Sequence, residues 1–170
     1  MIQLVLMYNT INAKSSKTCS CFGHSDIVIT DELKEKLRKC YRTLVEEGFG
    51  TFYFGGLSMF DDLCWQVVSE LKKEYPQIRR VFCLTDRRHL RPSKRPKDLR
   101  DEDFEEFVYL ELEFDFYKTR LYFRNVEMIK QSDFVVFYVN KTGRSGAYKA
   151  MQFAEKTKKK FVNFGACQQN

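Results

Sequence analysis

Thr51-Phe52-Tyr53-Phe54-Gly55-Gly56-Leu57-Ser58 is the stretch whose reading decides the fold. A short apolar run ends in a double glycine. Directly after it Met59, Leu63, Val67, Val68 and Leu71 fall on one helical stripe. Open α/β sheets make phosphate seats where a strand ends in glycine and opens a helix. Glycine lets the backbone turn tightly and approach an anion, while the first-turn N–H groups face it. The same pair also serves as a plain strand-to-helix turn. Asp61, in the first turn, is placed either to take a ligand hydroxyl or to favour the positive helix end, an effect worth ~0.3–1 kcal/mol.

Similar junctions occur twice more. Residues 17–22 read as a first strand ending at Gly23-His24-Ser25-Asp26. A helix follows, with Thr30 as N-cap, Asp31 and Glu32 in its first turn, and Leu33, Leu37, Cys40, Tyr41, Leu44 and Val45 at helical spacing up to Gly48. Residues 133–139 form the cleanest buried strand; Asn140-Lys141-Thr142-Gly143-Arg144-Ser145-Gly146 and another helix come after it. Residues 78–84 and 161–164 supply two further strands. Residues 85–100 are basic, contain Pro92 and Pro96, and read as loop; 101–131 read as helical, with a break near 114–117.

Alternating strands and helices predict a mainly parallel sheet of five or more strands, covered on both faces, with a helical insertion between the third and fourth strands. One domain is expected over 17–170, with the insertion at about 85–131 and residues 1–16 as an extension or extra strand. In such a sheet ligands sit outside the carboxyl ends of the strands, so all three glycine junctions converge on one edge.

Composition narrows the class. The chain has 170 residues, a formal net charge of +6, and an aromatic-rich core drawn from 16 Phe and 9 Tyr. No apolar run approaches ~20 residues, so no membrane helix is expected. The start of the chain lacks the basic region and cleavage site of a signal peptide. The six cysteines (Cys19, Cys21, Cys40, Cys64, Cys83, Cys167) show no metal-ligand spacing and read as buried reduced thiols in a cytoplasmic protein, with no metal and no cofactor. Positive charge gathers in 79–100 and in Lys156, Lys158, Lys159 and Lys160, either as solvated ends or as an anion-attracting surface. Aromatic residues concentrated in the insertion (among them Phe104, Phe107, Phe116, Tyr122 and Phe123) pack a core or form a homo-oligomer contact.

Taken in order, Cys21-Phe22-Gly23-His24-Ser25-Asp26, Phe52-Tyr53-Phe54-Gly55-Gly56-Leu57-Ser58-Met59-Phe60-Asp61, Phe123-Arg124-Asn125, Ser132-Asp133-Phe134-Val135-Val136 and Ser145-Gly146-Ala147 resemble the SLOG superfamily. These are Rossmann-like domains related to the lonely-guy enzymes and to the DNA-processing protein DprA, and the resemblance is to the YpsA-like branch. Met59 stands where the family often has a third glycine, and Ser25 replaces an arginine. The resemblance implies a domain that binds a nucleotide or nucleotide-derived small molecule, as a sensing module. Gly23, His24, Ser25, Asp26, Gly55, Gly56, Leu57, Ser58, Asp61, Arg124, Asn125, Asn140, Ser145 and Gly146 are its candidate ligand-binding residues; catalytic residues are unassigned.

Each candidate also has a plainer reading. His24 is a hydrogen-bond donor or proton carrier, or a turn histidine tied to backbone. Ser25 and Asp26 meet ligand or cap a turn. Arg124 clamps phosphate or pairs on the surface with Glu127 or Asp115. Two alternative functions remain. In the lonely-guy N-glycosidic hydrolases a glutamate serves the chemistry where this chain has Ala150, which counts against that activity. Nucleic-acid binding through 87–100 and 156–160 would be non-specific and salt-sensitive.

Overall fold

The computed structural model describes residues 16–56, 58–112, 115–141, 143 and 145–165. The expected N-terminal extension, apart from Ser16, lies outside the described residues, as do Leu57, Phe114, Thr142, Arg144 and Cys167.

Three of the helices are started by a hydroxyl residue, Thr30, Ser58 or Ser145, that accepts from a first-turn N–H group, whereas the helix after Phe116 has no side-chain cap. β1 (Lys17–Gly23) leads to α1 (Asp31–Glu46), where the Thr30 hydroxyl accepts from Leu33 N–H at 3.1 Å. Gly48 reverses the chain at φ +95°, a conformation costly for a side chain. β2 (Phe49–Phe54) leads to α2 (Met59–Lys72), capped by Ser58, and then to β3 (Arg79–Leu84). β4 (Glu106–Tyr109), α3 (Tyr117–Gln131), β5 (Phe134–Tyr138), α4 (Gly146–Lys156) and β6 (Phe161–Asn163) complete the order.

The six strands form one parallel sheet in the order β4-β3-β2-β1-β5-β6. Each face is sealed by its own apolar layer. Cys19, Cys21, Phe52, Phe54 and Val136 pack against Leu37, Tyr41, Leu63 and Val67 of α1 and α2. Phe22, Val135 and Phe137 pack against Met128, Ile129, Ala147, Ala150 and Ala154 of α3 and α4. This is a Rossmann-like three-layer sandwich. Cys19, Cys21, Cys40, Cys64 and Cys83 are free thiols. Burial pushes the Cys83 thiol up to about 12.

The insertion differs from expectation. Residues 101–112 are not an α-helix: a 3-10 turn (Asp101–Asp103) precedes β4, which adds a parallel edge strand beside β3. Phe104, Phe107 and Val108 fit helical spacing, but the apolar surface waiting for them is flat. Phe104 meets Phe82 edge-on (centroids 5.1 Å apart) and Phe107 (5.5 Å), and lies 6.1 Å from Phe54 and Trp65. Packing against the pleated surface overrides the local pattern. Among the described residues of this run Leu110 is buried, Phe104, Phe107, Val108, Leu112, Leu121, Tyr122 and Phe123 are half-buried, and Phe116 stays 77% exposed.

Candidate functional site

Strand order reverses at β1, which has β2 on one side and β5 on the other. The loops after β1 and β5 therefore leave the sheet side by side and in opposite senses, the place where open α/β sheets form their ligand crevice. Two contacts tie these loops together. Asn140 N–H donates to His24 Nε2 at 3.3 Å, and Lys141 Nζ pairs with the Asp26 carboxylate. His24 is buried, with its Nε2 as the acceptor of this bond. The turn histidine tied to backbone is thus the arrangement found. Hydrogen bonding to Lys141 holds the exposed Asp26 carboxyl below its usual value.

The root of the β5 loop is fixed by a side chain. Asn163 Oδ1 accepts from Val139 N–H and its amide donates to Val139 C=O, both at 2.9 Å, so β5 and β6 remain joined one step beyond their last ladder bond. At the far end of this loop Ser145 caps α4 by accepting from Tyr148 N–H at 3.1 Å. Gly146 is exposed, and a Cβ built there meets no atom within 4 Å beyond its chain neighbours and its own helix backbone. The N–H groups of this helix start carry partial positive charge.

The β2–α2 junction is filled from within. A Cβ on Gly55 would stand 2.6 Å from the Arg124 guanidinium, which donates to Gly55 C=O at 2.8 Å. Arg124 is buried, and its Nε and Nη2 share Asn125 Oδ1 at 3.3 and 3.0 Å. The surface pair with Glu127 or Asp115 does not form; Glu127 pairs with Lys130. Gly56 takes φ +67°, and its N–H donates to Asp61 Oδ2 at 2.6 Å. Cys21 S–H reaches the other carboxylate oxygen at 3.4 Å, and Ser58 Oγ accepts from Asp61 N–H at 3.0 Å.

Asp61 and Arg124 thus approach the end of β2 from opposite faces of the sheet. Burial pushes the Asp61 carboxyl up to about 6, opposed by Arg124, Cys21 and the Gly56 and Gly55 amides. Burial likewise lowers the Arg124 value, opposed by Asp61. Gly23 is also used internally, since a Cβ there would strike the Phe60 ring at 2.5 Å. Met59, which stands where a third glycine is common, is 43% exposed.

The candidates therefore separate into two groups. Gly23, His24, Ser25, Asp26, Asn140, Ser145 and Gly146 lie on the segments that follow β1 and β5, which the His24–Asn140 bond and the Asp26–Lys141 pair tie together. Gly55, Gly56, Ser58, Asp61, Arg124 and Asn125 form an internal polar network beside them. Lys141, Cys21 and Phe60 were not singled out as site residues. For Lys141 the available signal was its place directly after Asn140; nothing local marks the other two.

Part of the basic cluster at 79–100 is paired with nearby acids, while among the described residues no ion pair is found for Arg87, Arg91, Lys94 or Lys97. Arg79 pairs with Glu106, Arg80 with Glu105, Arg88 with Asp86, and Arg100 with Asp103. Arg95 meets Asp101 and lies 3.7 Å from the centroid of the Phe107 ring. Among the described residues no group of His, Cys, Asp and Glu is placed to hold a metal, and no helix is long and apolar enough to cross a membrane.

No protein-family model matches the chain and no curated protein matches it. Solved structures do. DNA processing protein A from Helicobacter pylori, studied for its single-stranded DNA binding mode, superposes with a TM-score of 0.59 at 15% identity, covering 91% of this chain and 68% of that one. DNA processing protein A from Streptococcus pneumoniae gives 0.57 at 8% identity, with 91% of this chain spanning 52% of its length. The Moco carrier protein from Chlamydomonas reinhardtii gives 0.52 at 13% identity, covering 91% and 80%. This chain therefore shares the Rossmann-like fold of DNA processing protein A.

Proposed function

We propose that the chain binds a phosphate-bearing, nucleotide-derived small molecule in the β1–β5 crevice and acts as a sensing module of the SLOG superfamily, within its YpsA-like branch. The observation that carries this is the pairing of a topological switch point with a helix start whose first residue, the exposed Gly146, has room beside it for a side chain. Asp26 and Lys141 supply a carboxylate and an ammonium at the rim. A fold shared with a Moco carrier and with DNA processing proteins agrees with such a use of the sheet edge. N-glycosidic hydrolysis gains nothing from the geometry, because Ala150 is 1% exposed within the α4 core.

The test is thermal stabilisation by a nucleotide panel with wild type and Gly146→Asp. A carboxylate at this helix start suits the dipole, so the variant keeps or slightly raises its own melting temperature. It also repels an anion and abolishes stabilisation by the ligand. Undiminished stabilisation of Gly146→Asp overturns the placement, and no stabilisation of wild type by any phosphorylated nucleoside overturns the ligand class.

A further inference from the structure

The opposite edge of the sheet holds a second concavity, of about 510 Å³, beside the starts of β1, β2 and β5 and the turn between α4 and β6. It lies about 20 Å from the first site, the length of β1 at ~3.3 Å per residue. Its floor is aromatic: Phe49 and Phe134 meet edge-to-face at 6.3 Å. Its rim is basic: Lys17, Lys158, Lys159 and Lys160 line it, with Glu47 and Asp133 as the acids.

These lysines differ from Arg88, Arg95 and Arg100 of the basic loop, which are ion-paired. Lysine ion pairs among the described residues belong to Lys36, Lys72, Lys130 and Lys141. Lys159 is committed to capping α3, donating to Ser132 C=O at 2.6 Å. Asp133 accepts from Thr18 N–H at 2.8 Å. Lys17, resting 5.4 Å over the Phe49 ring, and the exposed Lys158 and Lys160 therefore keep their charge for an external partner.

The turn that presents them is built unusually. Lys158 N–H bonds to Glu155 C=O and Lys159 N–H to Ala154 C=O, the paired bonds of a Schellman helix end. The left-handed position of that motif normally belongs to glycine, yet Lys158 occupies it at φ +55°. A side chain has been kept where glycine would be more comfortable.

We propose that this concavity is a second ligand site, taking a phosphorylated nucleoside unit with its phosphate on Lys17, Lys158 and Lys160 and its base against the half-buried Phe134. The volume falls in the range of about 300–1,000 Å³ usual for small-ligand sites. Lysines around an aromatic floor match phosphate and base together. The unit is either a free nucleotide or one residue of a single strand.

Both are titrated at low salt in the Gly146→Asp background, which removes the first site whether or not that site binds: dTMP by calorimetry, labelled oligo(dT) by anisotropy. Binding of oligo(dT) alone assigns the site to a strand, and binding of both shows that the free nucleotide suffices. Adding Lys158→Glu and Lys160→Glu together weakens binding at least about tenfold. Lys158→Gly weakens it several-fold while raising the melting temperature, because the left-handed strain is removed. Arg88→Glu, in the basic loop where Arg88 pairs with Asp86, leaves it unchanged. Binding of neither probe, or undiminished binding by the folded Lys158→Glu/Lys160→Glu variant, overturns the site.

Discussion

At the β2–α2 junction the room beside Gly55 is taken by the Arg124 guanidinium, whereas at the β5–α4 junction the room beside Gly146 is open. Both junctions show a strand, a glycine and a capped helix start, with Ser58 and Ser145 in equivalent positions. Glycine at such a place states only that a backbone is approached closely. In one case the approaching group is the protein's own cation; in the other the space is left to solvent or ligand.

The largest effect that would break this comparison belongs to Arg124→Met. It removes the cation that offsets Asp61 and the donor to Gly55 C=O. Loss of one partner of a buried charge pair costs about 3–5 kcal/mol, measurable by urea unfolding. A cost under about 1 kcal/mol would show that the network is not holding the junction.

Next comes the acid limb of stability. The unfolded chain holds the Asp61 proton near 3.8 and the folded chain near 6, so between these values the native state binds more protons. This group's contribution therefore favours the fold at the acid side and is lost as pH rises toward 6, on the order of 3 kcal/mol across the window. Asp61→Asn should remove that slope; identical pH profiles for variant and wild type would contradict the burial assigned to it.

The smallest effects sharpen the contrast most, because one substitution is made at both junctions. Gly55→Ala should destabilise by about 1–3 kcal/mol as the guanidinium is displaced. Gly146→Ala should be neutral or stabilising by about 0.5–1 kcal/mol, since alanine suits a helix start with free space beside it. Equal costs at the two sites would erase the distinction.

Much of the sheet was legible from residue pattern. Thr30 and Gly48 bracket α1 as read, and the run at 133–139 is β5, because caps, turns and buried strands are local features. β4 was not. With only four residues, it is too short to show alternation, and its place beside β3 depends on a tertiary surface. The meeting of the junctions at one edge followed from topology. The plug beside Gly55 did not, because nothing around Arg124 in the sequence reveals which way α3 turns that side chain.

Asn163 gives the crevice a fixed pivot. By bonding both main-chain groups of Val139 it acts as an extra rung of the sheet and clamps the exit of β5. Any adjustment of this wall to an arriving guest must hinge downstream of the clamp, leaving the strand itself as a rigid reference. The His24–Asn140 bond and the Asp26–Lys141 pair, lying just beyond it, form the latch that such a movement would open first.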